Sequence, residues 1–110
     1  MNLPFSKTRR VGSTVYLSGE IGFGADGTVP AGIEAQTRNI FERLKATLAT
    51  EGLTLANVVS ATCYLTDTSD FAEFNRVYAE YFADPLPVRT TVQSGLMIDA
   101  KVEITVIAEA

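Results

Sequence analysis

The chain has 110 residues, with 9 basic and 13 acidic side chains, a net charge of −4, and 46% apolar and 20% charged residues. That length suits one domain over residues 1–110 with one core, and the charge balance lacks the basic footprint of a nucleic-acid binder. No apolar run approaches the ~20 residues that a membrane helix needs. Histidine is absent, which excludes a Ser-His-Asp or Cys-His nucleophile system and leaves zinc no ligand spacing. Proton transfer must then fall to Glu, Asp, Tyr, Lys or water.

Met1-Asn2-Leu3-Pro4 leads directly into polar sequence, so no secretory signal and a cytoplasmic location are expected. Residues 4–10 read as a short first strand, in which Lys7-Thr8-Arg9-Arg10 is a solvated edge. Thr14-Val15-Tyr16-Leu17-Ser18-Gly19 reads as its hairpin partner, with Gly12-Ser13 as the turn. Four glycines between Gly19 and Gly27 mark a wide turn or loop that matches neither a P-loop nor a dinucleotide fingerprint. Such a loop also suits backbone N–H contact with a small anion.

Apolar spacing through Ile33, Thr37, Ile40, Phe41, Leu44 and Leu48 predicts a helix over about residues 32–51, with Gly52 after its end. Residues 58–65 read as a strand, with Val59, Ala61, Cys63 and Leu65 on one face. The single cysteine, Cys63, cannot close an internal disulfide and reads as a small core residue. Asp70 is the expected N-cap of a second helix reaching about residue 82. Its core stripe is Phe71, Phe74, Val77, Tyr78, Tyr81 and Phe82, and Asn75 reads as a surface residue or a buried hydrogen-bonding partner.

Pro85 and Pro87 end that helix and lead into a strand reaching Gln93. Arg89, Thr91 and Gln93 share one of its faces. The final strand, residues 101–108, has an apolar face of Val102, Ile104, Val106 and Ala108, with Glu103, Thr105 and Ile107 opposite. The order predicts an α+β plan: a mixed or mainly antiparallel sheet with two helices on one face. The uncovered face, carrying Tyr16, Ser18, Thr62, Tyr64, Thr105, Ile107 and Arg89 or its neighbours, suggests burial against another copy. A lone Arg89 and a lone Glu103 in such strands are costly unless solvated, paired or in use. A mutual salt bridge and a chemical role both fit their spacing.

These motifs together resemble the RidA/YjgF family of reactive-intermediate imine deaminases. The resemblance covers nearly the whole chain. It rests on Val15-Tyr16-Leu17-Ser18-Gly19, Ala35-Gln36-Thr37-Arg38-Asn39-Ile40, Tyr64-Leu65-Thr66-Asp67 and the helix from Phe71 to Tyr78. Its most specific parts are Pro87-Val88-Arg89-Thr90-Thr91-Val92 and the run from Val102 to Ala108.

The resemblance implies a chorismate-mutase-like α+β domain with a mixed six-stranded sheet and two helices on one face. It also implies a homotrimer with sites between subunits and no metal or cofactor. Carried over residue by residue, Arg89 would hold a substrate carboxylate and Glu103 would handle the attacking water. Ser18, Gly19, Asn75 and Thr91 would line the substrate site. Phe5 stands where the family often has tyrosine, and Thr91 where it often has cysteine. The implied reaction is hydrolysis of 2-aminoacrylate or 2-iminobutanoate to 2-oxo acids and ammonia. Alternatives are a pathway-specific deaminase, such as one acting on 2-aminomuconate, and a 2-oxo acid sensor without turnover. The endoribonuclease and translation-inhibitor labels of some relatives fit an acidic chain without histidine least.

Overall fold

Alternating side chains and helical stripes both find one core in the computed structural model, which describes residues 2–110. Strands β1 (Thr8–Val11) and β2 (Thr14–Leu17) form the expected hairpin. Helix α1 (Ile33–Ala49) buries every residue of its predicted stripe and Gln36 besides. It ends where Gly52 takes φ 74°, so that the Leu53 amide can donate back to the Leu48 carbonyl at 3.0 Å. Strand β4 (Val58–Leu65), helix α2 (Phe71–Tyr78), β5 (Val88–Gln93) and β6 (Val102–Glu109) complete the main elements.

The sheet runs β1-β2-β6-β4-β5, with β4 and β5 parallel and the other pairs antiparallel. The two helices pack on the face bearing Val102, Ile104, Val106, Ala108, Ala61, Cys63 and Leu65. This is the α+β architecture expected from the residues.

Several local readings are corrected. The stretch taken as loop contains a sixth strand, β3 (Glu20–Ile21), which pairs with β6. Two residues are too short to show a period, so pairing alone creates it. The first strand begins at Thr8, and residues 85–87 lie outside β5. Helix α2 stops at Tyr78 and tightens into a 3₁₀ turn over Ala79–Tyr81. Asp70 stands at the N-cap position of α2 as expected but makes no capping hydrogen bond and pairs with Lys101 at 3.1 Å, while Asp67 caps the 3₁₀ turn Thr68–Asp70 before the helix, accepting the Ser69 amide at 2.8 Å. A register shift between Val58 and Ser60 turns Val58 inward and leaves Val59 exposed.

Buried Gln36 fixes where β6 begins. Its amide donates to the Pro30 carbonyl at 2.8 Å, and its carbonyl accepts the Lys101 amide at 2.8 Å. Two residues later stands Glu103.

Candidate functional site

Arg89 lies beside Ala61, and Thr91 beside Cys63, in the β4–β5 register. Both therefore face the helices, and the neighbours Val88, Thr90 and Val92 take the uncovered face. The Arg89 guanidinium carbon sits 4.7 Å from the ring centre of Tyr78, 5.7 Å from Phe74 and 5.8 Å from Phe71. Steps of three and four residues along α2 bring these rings to one side. A guanidinium on aromatic faces gains about 0.5–2 kcal/mol, more as water is excluded, without using its N–H donors.

Arg10, Arg38, Arg43 and Arg76 each hold a carboxylate; Arg9 and Arg89 hold none among the described residues, and of these two Arg9 is exposed whereas Arg89 is half-buried. A pocket of about 220 Å³ opens beside the nest, lined by Leu65, Thr68, Phe71, Thr91, Val92 and Gln93. Asn75 has its Oδ1 buried without a hydrogen-bond partner. The Cys63 thiol lies beneath this cluster. Burial pushes its pKa up to about 11, with the Arg89 charge and the Thr91 hydroxyl pulling the other way. The thiol is thus neutral at pH 7 and no nucleophile. Thr91 leans on that thiol without forming a hydrogen bond of ordinary geometry.

Glu103 lies on the opposite face, across from Tyr64 of β4 and Ile21 of β3. Burial raises its pKa above the ordinary carboxylate value, and the neighbouring Glu20 carboxylate adds to the rise. Glu20 itself is spent: Lys7 holds it at 3.1 Å and Arg43 at 2.6 Å. The Glu103 carboxylate rests against the backbone of Gly19. A Cβ there would collide with Glu103 Oε2 and stand 3.1 Å from Thr105 Oγ1. Only glycine lets the chain pass so close. Glu103 also lines a hollow of about 220 Å³ with Tyr64, Gly95, Met97 and Thr105.

Phe5 and Ser18 border a third hollow, of about 290 Å³, with Arg9 and Tyr16. The Ser18 hydroxyl donates to the Ser6 carbonyl at 2.6 Å, fastening the segment that carries Phe5.

The expected site residues thus fall into two groups. Arg89, Thr91 and Asn75 belong to the helix side. Gly19 and Glu103 belong to the uncovered side, with Ser18 and Phe5 adjoining. No Arg89–Glu103 salt bridge exists, because β4 separates their strands and the two side chains point to opposite faces. Helical spacing predicts Phe71, Phe74 and Tyr78 only as core. Phe71 is in fact 43% exposed. The available signal was an aromatic helix leading into a strand with a lone arginine. Among the described residues no cluster of His, Cys, Asp and Glu could hold a metal ion, and no helix is long and apolar enough to cross a membrane.

The family model described as Endoribonuclease L-PSP matches residues 2–110. A RutC family protein of Saccharolobus solfataricus is 41% identical over 109 residues, spanning 96% of this chain and 86% of that protein. The chain belongs to the RidA/YjgF family. The crystal structure of RidA from an Antarctic Psychrobacter superposes with a TM-score of 0.93 at 37% identity, covering 97% of this chain and 89% of that one. TdcF of E. coli, crystallised with bound serine, superposes with a TM-score of 0.91 at 34% identity over 100% of this chain and 91% of that one.

Proposed function

We propose that the protein hydrolyses enamines and imines of 2-amino acids, of the 2-aminoacrylate and 2-iminobutanoate type, to 2-oxo acids and ammonia. The observation that carries this reading is the Arg89 guanidinium, held on three rings with its donors unspent. Such a group takes a carboxylate through two parallel hydrogen bonds. TdcF holds serine, a molecule with a carboxylate beside an amine-bearing carbon, and that pattern suits the same clamp.

Held at its carboxylate, the substrate has its reacting carbon fixed one bond away. The enamine tautomerises to an imine, its carbon gaining a proton as its nitrogen gives one up. Water then adds to the C=N carbon, giving its proton to Glu103. Glu103 passes that proton to nitrogen, then carries the carbinolamine's hydroxyl proton to the same nitrogen as the C=O bond forms, the C–N bond breaks and ammonia leaves. A raised Glu103 pKa suits a group that must both accept and return a proton near neutral pH.

Arg89 and Glu103 occupy opposite faces of one sheet, so the full site requires a second copy. We therefore place the reaction between subunits of a homotrimer in the cytoplasm. Support comes from the uncovered face, where Tyr16, Val88 and Val92 are 46%, 71% and 41% exposed. That much apolar surface favours burial against a partner. An ammonia-release assay with freshly generated 2-aminoacrylate tests the reading. Arg89→Ala should lose turnover, and ammonia release equal to that of the unmodified protein would overturn it.

Binding of 2-oxo acids without turnover is the second reading. Phe5 favours it, because a phenyl ring offers no hydrogen bond to a reacting group. Binding of 2-oxobutanoate by a protein that releases no ammonia would select it. Nuclease action is disfavoured by the net charge of −4 and the absence of histidine.

A further inference from the structure

Four buried side-chain polar atoms among the described residues lack a hydrogen-bond partner: Thr37 Oγ1, Asn75 Oδ1, the Tyr78 hydroxyl and Thr91 Oγ1. Three of the four belong to the two elements that form the Arg89 nest. Tyr78 is the least explained of them. It is 9% exposed and its ring is packed among Phe41, Phe74 and Phe82, none of which can accept a hydrogen bond. An unpaired buried hydroxyl costs about 1–3 kcal/mol, and removing it without changing shape is close to neutral or stabilising. A phenylalanine would pack this core as well. The hydroxyl therefore has no structural use in the unliganded chain.

Its surroundings give it one. The Tyr78 ring is the nearest of the three to the Arg89 guanidinium, at 4.7 Å. The hydroxyl is close enough to that charge, and to the Cys63 thiol, for both to act on its ionisation. Burial still dominates and pushes its pKa up to about 12, so the group is a neutral O–H donor at pH 7. Thr91 lies two residues beyond Arg89 on the same face, opposite Cys63. Phe71 and Thr91 also line the pocket that opens beside the nest. A carboxylate entering there arrives beside Thr91 and Phe71, and Phe71 is one of the three rings on which the guanidinium rests.

We propose that the Tyr78 hydroxyl is a ligand-binding group of this site, donating a hydrogen bond to the anion that Arg89 clamps, with Thr91 Oγ1 as a second donor. The inference rests on the reading of Arg89 as a carboxylate clamp and adds the residue that completes it. Ring and hydroxyl have separate tasks: the ring holds the guanidinium, and the hydroxyl meets the ligand's oxygen.

Titration calorimetry with 2-oxobutanoate, beside thermal melting of the ligand-free protein, tests this on the full chain. Tyr78→Phe keeps the ring. It should weaken binding about 10–100-fold, the worth of one hydrogen bond to a charged acceptor, while the melting temperature holds or rises. Thr91→Val should act in the same direction. Affinity opposed to stability is a signature that a merely structural hydroxyl cannot give. Unchanged affinity in Tyr78→Phe, or a lowered melting temperature with unchanged affinity, overturns the proposal and leaves the Arg89 clamp standing. No binding by the unmodified protein, or equal binding by Arg89→Ala, overturns the clamp and this inference with it.

Discussion

The two faces of the sheet treat charge differently. On the helix side Arg89 is surrounded by rings and holds no carboxylate. On the uncovered side Glu103 rests on glycine backbone, with its pKa raised by burial. Glu20 supplies the contrast within the molecule. It is buried at 5% exposure, more deeply than either, yet Lys7 and Arg43 use up its charge. Burial alone therefore does not mark a functional charge. What distinguishes Arg89 and Glu103 is that the fold shields them and then leaves them without an opposite charge, a cost that a ligand can offset.

Breaking the helix side should have the largest effect. Arg89→Ala should lower kcat/KM for 2-aminoacrylate about 10³-fold, because the reacting carbon loses its anchor. On the uncovered side, Glu103→Gln should lower kcat about 10²-fold, measured as ammonia release. It should also remove the acidic limb of the pH–rate profile. That limb should lie above the ordinary glutamate range, because the folded protein raises the Glu103 pKa. The stability effect has the opposite sign. A carboxyl whose pKa rises on folding loses stability as pH climbs through that pKa. Glu103→Gln should therefore raise the melting temperature at pH 7, and the gain should vanish below about pH 3, where both states are protonated.

Gly19→Ala should be milder, about 10-fold in kcat, since a methyl group there displaces the Glu103 carboxylate without removing it. An unchanged kcat would show that this contact does not matter. The smallest change should come from Phe5→Tyr. It adds a hydroxyl to a 57% exposed ring beside Ser18 and should raise kcat/KM no more than a few-fold.

Much of this was legible from the residues. The stripe of α1 and the alternation of β6 are long and periodic, and both appear in the structure as read. β3 escaped because two residues carry no period and owe their strand to β6. The face of Arg89 could not be fixed from its own strand, where Val88 and Val92 look more like core than Arg89 does. It took the parallel pairing with β4 to turn arginine toward the helices and valine toward the open side. That inversion shaped the candidate site. Alternation predicts which residues share a face, but not which face is covered, once the covered face holds an arginine. The aromatic stripe shows the same limit: Phe74 and Tyr78 are core, as their spacing predicts, and Phe71 is exposed, yet a stripe that also cradles a guanidinium has the spacing of one that only fills a core.

The central claim is that Arg89 of one subunit works with Glu103 of another. Complementation tests it most directly. Arg89→Ala and Glu103→Gln chains, each with only a small residual activity, are unfolded, mixed in equal amounts and refolded together, and ammonia release from 2-aminoacrylate is measured. If each site takes its arginine from one chain and its glutamate from the next, random mixing restores about a quarter of the sites. Recovery to about a quarter of the unmodified activity is the expected result. A mixture no more active than the two variants refolded separately would contradict it.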